Sequence, residues 1–388
     1  MSDTTRGRTR LRRAGGDMLL DQVKLDIETW ERAGTHRTAT QGDKATDRWL
    51  REEIARCGQA PLTINYEFER LDIEACRVEI GELEIPAVPM FDAVPGRAEG
   101  VLGDQIELVQ YHATDQHPAT LAFKRARHAS TCAAMIAVGV EPSPRFALLN
   151  AEGYRERSNP PVVQVAGEHW AALKQAQAQG AKAKVVCDAQ FTPTFATNIE
   201  CRIDGRDAGA APLIVMTPKS SWWTSTAERI GGIAIWLHLL RLFADQAPRR
   251  GLIFTANSGH ELSHLGLDHF LAANTDRLSD AHLWLHLGAN FAARDSGVRI
   301  QASTPHLMER LSGALADQAL KFSATPVAER PAGEARNIYD LQGDFISLLG
   351  SNPWFHQDDD HGARVLDLAK LQSICHGITE LIQSVADA

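Results

Sequence analysis

What this chain lacks narrows its reading before any motif is considered. No apolar run is long enough to cross a bilayer: the longest, Ile230 to Phe243, is interrupted by His238 and Arg241. The six cysteines (Cys57, Cys76, Cys132, Cys187, Cys201, Cys375) form no C-x-x-C pair. Their scatter argues against a disulfide framework or a thiolate zinc site, and reduced thiols in a cytoplasmic protein are the expectation. Positive charge is also short, with 40 Lys and Arg against 49 Asp and Glu and a net charge of -9. That balance argues against a nucleic-acid partner. The one basic run, Arg6 to Arg13, has no apolar segment after it, so residues 1–15 are expected to be a disordered tail rather than an export signal.

What is present suits a large globular enzyme. A chain of 388 residues, 44% hydrophobic and 23% charged, has ample length for a sizeable core. Asp17 to Cys57 reads as helices around a polar turn at Gly34 to Gly42, and Leu62 to Glu84 alternates like a strand. From about Pro86 to Thr194 short strand-like runs (Ile106 to Val109, Pro161 to Val165, Lys184 to Cys187) stand between Gly and Pro turns. Beyond Asn198 strands alternate with helices: Leu213 to Met216, Ile230 to Phe243, Leu252 to Ala256, Leu262 to Ala272, Leu283 to Leu287. Such alternation predicts an α/β fold with a mostly parallel sheet flanked by helices.

The densest chemistry lies in Gly251 to Leu271, where His260, Glu261, His264 and Asp268 follow the strand-like Leu252 to Ala256. Open α/β sheets keep their active sites at the carboxyl ends of strands. His260-Glu261-Leu262-Ser263-His264 is a literal H-E-x-x-H, which on a helix would put two imidazoles on zinc with Glu261 as base. The extended zincin pattern fails, with Leu267 and Phe270 where glycine and histidine belong.

The same stretch resembles the strand-loop-helix of the zinc exopeptidase family that includes bacterial leucyl aminopeptidases, glutamate carboxypeptidase-like proteins and glutaminyl cyclases. Further segments are similar in order: Gly34 to Gly58 to the opening helix, Asn198 to Gly205 to the entry strands, Glu228-Arg229-Ile230-Gly231-Gly232 to the turn carrying a metal-bridging aspartate, and Trp354-Phe355-His356 to the segment of the last histidine ligand. The resemblance implies a peptidase-like domain in two pieces, 16–85 and 195–388, around a β-rich protease-associated-like insert at 86–194. It implies a metal-dependent hydrolase of an amide or peptide-like bond in a small substrate. Competing readings are a non-catalytic binding protein without metal and a single-zinc cyclase or transferase on the same scaffold.

By that resemblance Glu228, Glu261 and His356, with His286 beside them, would hold one divalent ion, zinc first and manganese or iron as alternatives. His260 stands where the family has its general-base glutamate. The family's first metal position departs: Thr217-Pro218-Lys219 replaces a histidine and an aspartate, and an ammonium there opposes a dication. Lys219, Thr217 and Arg229 are candidates to orient a substrate carboxylate, and Trp222, Trp223 and Trp354 to contact its apolar part. Asp359 or Asp360 is a candidate to hold a histidine from behind. Simpler roles stay open. Ser225 with Glu228 matches a helix capping box, Glu261 suits a helix's first turn, His264 reads as a core residue, and tryptophans anchor loops. The sequence leaves the oligomeric state undetermined.

Overall fold

The structure is a computed structural model describing residues 20–275 and 280–388. The expected tail at 1–15 lies outside the described residues. A helix α1 over 20–33 and α2 (Gln41–Arg56) precede the long strand β1 (Leu62–Ile80), then β2 (Leu83–Pro86), β3 (Val88–Pro89) and β4 (Arg97–Val101). A βαβ-like run follows: β5 (Ile106–Tyr111), α3 (Pro118–Ala129), β6 (Ala134–Gly139), β7 (Val162–Val165) and α4 (Trp170–Ala178). The 22-residue β8 (Lys182–Ile203) leads back. The remainder alternates: β9 (Leu213–Pro218), α5 (Thr226–Asp245), β10 (Leu252–Asn257), α6 (Leu265–Ala273), β11 (Leu283–Leu287), β12 (Val298–Ala302), α7 (Pro305–Ala316), β13 (Phe322–Ala324), α8 (Ala335–Asp340), β14 (Phe345–Gly350) and α9 (Leu368–Ala386).

The large sheet runs β13-β12-β14-β11-β9-β10-β8-β1-β2, with β4 also on β8. Its centre, β14-β11-β9-β10, is parallel, and β8, β1 and β2 extend it antiparallel. Every residue of β9, β10 and β11 is buried, as expected of strands covered on both faces. Strand alternation divides them: Leu213 and Val215 face the core shared with α5 and α9, whereas Ile214 and Met216 face Leu267, Phe270 and Ile338 of α6 and α8. Helix α5 is apolar nearly all round because it lies at the centre of the first of these cores. The fold is thus mixed α/β with a large central sheet between helices, as the alternation predicted.

The 86–194 segment holds a second sheet, β3-β7-β6-β5, in which β5, β6 and β7 are parallel. It carries α3 and α4 as well as strands, so it is less purely β than its turn-rich sequence suggested. Both β1 and β8 belong to the large sheet along their whole length, paired from Leu62↔Glu200 to Glu79↔Lys184, and their far ends pack through Val78, Val185 and Cys187 on the core of the second sheet. Among the described residues no helix is long and apolar enough to cross a membrane.

Candidate active site

The carboxyl ends of the parallel strands converge as the switch-point rule requires. β9 delivers Thr217, Lys219 and Ser220, β10 delivers His260 and Glu261, β11 carries His286, and the turn after β14 brings His356 and Asp360. The first turn of α5 adds Glu228 and Arg229. Several of these backbones are bent into left-handed conformation without being glycine: Ser225, Ser263, His264 and His356 have φ of 50°, 60°, 59° and 59°. Each costs about 1–3 kcal/mol, so the surrounding packing must over-determine these turns.

Residues 260–264 form that turn, and α6 begins only at Leu265. His260 and His264 are therefore not on a helix as a zincin requires, and their rings stack at 4.9 Å. Close approach shapes the loop. A Cβ on Gly266 would lie 2.0 Å from Ser258 O, so only glycine fits there.

Glu261 accepts three hydrogen bonds from this chain. Its Oε1 accepts from Thr38 N–H (2.7 Å) and Thr38 Oγ1 (2.6 Å), and its Oε2 accepts from Ser220 Oγ (2.6 Å). Lys219 is completely buried, with Nζ 2.5 Å from Asp43 and 2.6 Å from Asp47. Burial alone would lower its pKa, but the two carboxylates raise it, so it stays charged. Asp43 and Asp47 are one turn apart on α2, and Asp43 is further fixed by Ser258 Oγ (2.7 Å).

Arg229 stands on the Glu228 side. Its Nη2 is 2.7 Å from Glu228 Oε1, and its Nε donates to Ser220 O at 2.8 Å. Burial pushes the Glu228 pKa up, yet Arg229 and then His356, whose Nε2 is 3.5 Å away, hold it down at about 2. The expected capping box does not form. Ser225 Oγ has no partner among the described residues, and α5 is capped from a distance by Asp360, which accepts from Ala227 N–H (2.7 Å) and Glu228 N–H (3.1 Å). Burial raises Asp360 to about 7. It does not brace a histidine, for His356 Nδ1 donates instead to Leu148 O (2.7 Å).

The remaining imidazoles lie at the base of a cleft of about 1070 Å³. Its floor includes His260, His264 and His286, and its opposite wall includes His112, Asp115 and Asn150 from the 86–194 segment. His260 Nδ1 meets Glu334 Oε1 at 3.1 Å, His264 Nδ1 meets Asn337 Oδ1 at 2.8 Å, and His286 Nδ1 meets Ser347 Oγ at 2.8 Å. Burial lowers all three, His264 to about 3, His286 to about 4 and His260 well below its usual value. Each is a neutral base at neutral pH. His286 Nε2 and Glu334 Oε2 are buried with no partner among the described residues.

Glu261 and His356 are thus joined through a polar relay: Glu261 to Ser220, Ser220 to Arg229, Arg229 to Glu228, Glu228 to His356. Arg229 pairs with Glu228, one of the residues that the resemblance makes a metal ligand. Among the described residues no three His, Cys, Asp or Glu side chains gather as a metal would need. Glu228, Glu261 and His356 do not fit a divalent ion in this arrangement. Glu261 already accepts from three donors, and although both Glu228 oxygens lack a hydrogen-bond partner among the described residues, a dication placed roughly 4 Å from Arg229 would meet about 8 kcal/mol of repulsion at an effective dielectric near 20.

The other expected contacts are placed as follows. Thr217 is buried and donates to Leu287 O (2.8 Å). Trp222 bonds Asn150 (3.2 Å) and packs on Phe91, Trp223 donates to His356 O (2.9 Å), and Trp354 packs on the main core. None of Thr217, Lys219, Arg229 or these tryptophans lines the cleft, whereas Phe355 does. Glu334, Thr38, Asp43 and Asp47 were missed from sequence. Only Asp43 and Asp47 left a trace, two acids at i, i+4 on the helix face that also carries Leu50 and Ile54.

Solved structures of similar shape span nearly the whole chain. The zinc aminopeptidase of Bacillus subtilis matches with TM-score 0.78 at 14% identity, over 96% of this chain and 95% of that chain. A peptidase M28 precursor from Shewanella amazonensis matches with TM-score 0.73 at 11% identity, over 98% and 97%. The glutaminyl cyclase of Tannerella forsythia matches with TM-score 0.50 at 10% identity, over 94% and 98%. No family model and no curated protein matches the sequence. At these identities the likeness establishes the fold alone, the mixed α/β fold shared with these structures.

Proposed function

We propose that this chain binds a small peptide-like molecule in its cleft without a divalent metal, with Lys219 and Arg229, buried behind the cleft, neutralising Asp43, Asp47 and Glu228 where a metal would otherwise do so. The observation that carries the reading is the Glu228–Arg229 ion pair beside a Glu261 that already accepts three hydrogen bonds from Thr38 and Ser220. The ligand class follows from the groups left over. His286, which lines the cleft, keeps a buried Nε2 with no partner among the described residues and calls for a polar group, which an amino-acid amide or short peptide offers. The 86–194 segment, taken as the protease-associated-like unit, forms the opposite wall.

A second reading is supported by the His260–Glu334 pair. A carboxylate on Nδ1 fixes the tautomer and leaves Nε2 as a base at the cleft floor, the arrangement used to activate a water or hydroxyl. In that case the chain is an amide hydrolase with His260 as base. The single-metal version, with Glu228, Glu261, His356 and His286 as ligands, competes with both, as does a cyclase that adds no water to its product.

Elemental analysis and thermal-shift titration of the purified chain separate these readings. Binding without metal predicts far less than one zinc, manganese or iron per chain, stabilisation by amino-acid amides or dipeptides, and no release of amine. One tightly held ion that is lost in Glu261→Ala would overturn the proposal in favour of the metal hydrolase. Amine release that persists in metal chelator and disappears in His260→Ala would establish the second reading.

A further inference from the structure

The two strands that tie the sheets together carry cysteines at the same level. Cys76 on β1 and Cys187 on β8 are direct antiparallel partners, one residue past the irregularity at Ile73/Ala75. Their backbones show which kind of pair this is. Cys187 N–H donates outward to Gly96 O (3.1 Å), and Cys76 O accepts outward from Ala87 N–H (3.1 Å). Since N–H and C=O of one strand residue point the same way, neither residue bonds the other strand. The pair is therefore of the non-hydrogen-bonded type, with Cα atoms about 4.5 Å apart and side chains at their closest. That spacing lies within the range a disulfide spans, about 4.4–6.8 Å.

The side chains share one face. Cys187 belongs to the core of the second unit, Cys76 packs against that core from a half-buried position, and the two thiols touch. No other cysteine sits opposite a cysteine in the described strands, and all six are free.

We propose that Cys76 and Cys187 are a modification site that closes into a cross-strand disulfide by exchange with a low-molecular-weight disulfide such as oxidised glutathione. The Cys76 thiolate attacks one sulfur of the small disulfide, forming a mixed disulfide and releasing one thiol. The Cys187 thiolate then attacks Cys76 Sγ, forming the Cys76–Cys187 bond and releasing the second. The two protons lost from the cysteines end on the two small thiols, and the small disulfide is the species reduced. Everything from Arg77 to Val186 lies between the two sulfurs in sequence. The bond would lock the neck of the unit that forms the cleft's far wall.

The test uses the full chain incubated with excess oxidised glutathione, quenched in acid, alkylated and mapped by mass spectrometry. The expected result is loss of two hydrogens from the intact mass, a linked peptide joining Cys76 to Cys187, and alkylation of Cys57, Cys132, Cys201 and Cys375. Cys187→Ser should trap glutathione on Cys76. A wild-type chain whose only products are a stable glutathione adduct on Cys76 or links among other cysteines would overturn the proposal. So would a Cys76–Cys187 link that forms only in denaturant. The wild-type map decides the matter even if a serine variant folds poorly.

Discussion

Replacing Arg229 by methionine tests the electrostatic core of the site directly. Methionine keeps much of the apolar stem but removes the charge, leaving the Glu228 carboxylate wholly buried with only His356 nearby at 3.5 Å. In the native chain Glu228 titrates at about 2. A free glutamate titrates near 4.3, and each unit is about 1.4 kcal/mol, so the native surroundings favour the anion by about 3 kcal/mol. Because the folded pKa is the lower one, that contribution is complete above about pH 4.3 and fades as pH falls toward 2. Removing one partner of a buried pair costs about 3–5 kcal/mol, more than an exposed pair because the stranded charge has no water. Arg229→Met is therefore expected to lose about that much stability at pH 7, measured from urea unfolding followed by tryptophan fluorescence. Glu228→Gln combined with Arg229→Met should recover most of it, since no charge is then left buried. A single variant within about 0.5 kcal/mol of wild type would refute the claim that the guanidinium neutralises Glu228.

Lys219→Met should be as damaging, by about 3–5 kcal/mol in thermal or urea unfolding, because Asp43 and Asp47 would face each other without a cation. Acid should destabilise the chain early: burial lowers His36 and His264 to about 3 and His238 and His286 to about 4, below their unfolded values near 6.5. Only the unfolded chain gains these protons, so stability is full above about pH 6.5 and falls toward pH 4, by up to about 5 kcal/mol per unit for four sites, and a flat urea midpoint from pH 7 to 5 would contradict this. Gly266→Ala should cost at least about 1–3 kcal/mol by urea unfolding, since its Cβ would press on Ser258 O and displace the loop carrying His260 and Glu261.

Periodicity made the fold readable. The all-buried runs of β9, β10 and β11, and the helices between them, follow from apolar spacing that any similar sheet would impose. Local rules failed where distant groups intervened. Ser225 and Glu228 have the spacing of a capping box, but Asp360 arrives from more than 130 residues away to cap α5, which frees Glu228 for Arg229. His260-Glu261-Leu262-Ser263-His264 has helical spacing, but the left-handed backbone at Ser263 and His264 breaks it into a turn.

Composition and hydrophobic period, then, determined by themselves the α/β class and the strand before the polar stretch at His260 to Asp268, because burial of apolar surface depends on local repeat, whereas the other polar residues of the site were pointed to by the family resemblance. Which charge neutralises which was decided only when the chain closed. Lys219 meeting Asp43 and Asp47, Glu261 meeting Thr38, His260 meeting Glu334 and Cys76 meeting Cys187 all join residues 74 to 223 positions apart. Coulomb forces and hydrogen bonds act over a few ångströms of space, and linear order does not record that separation.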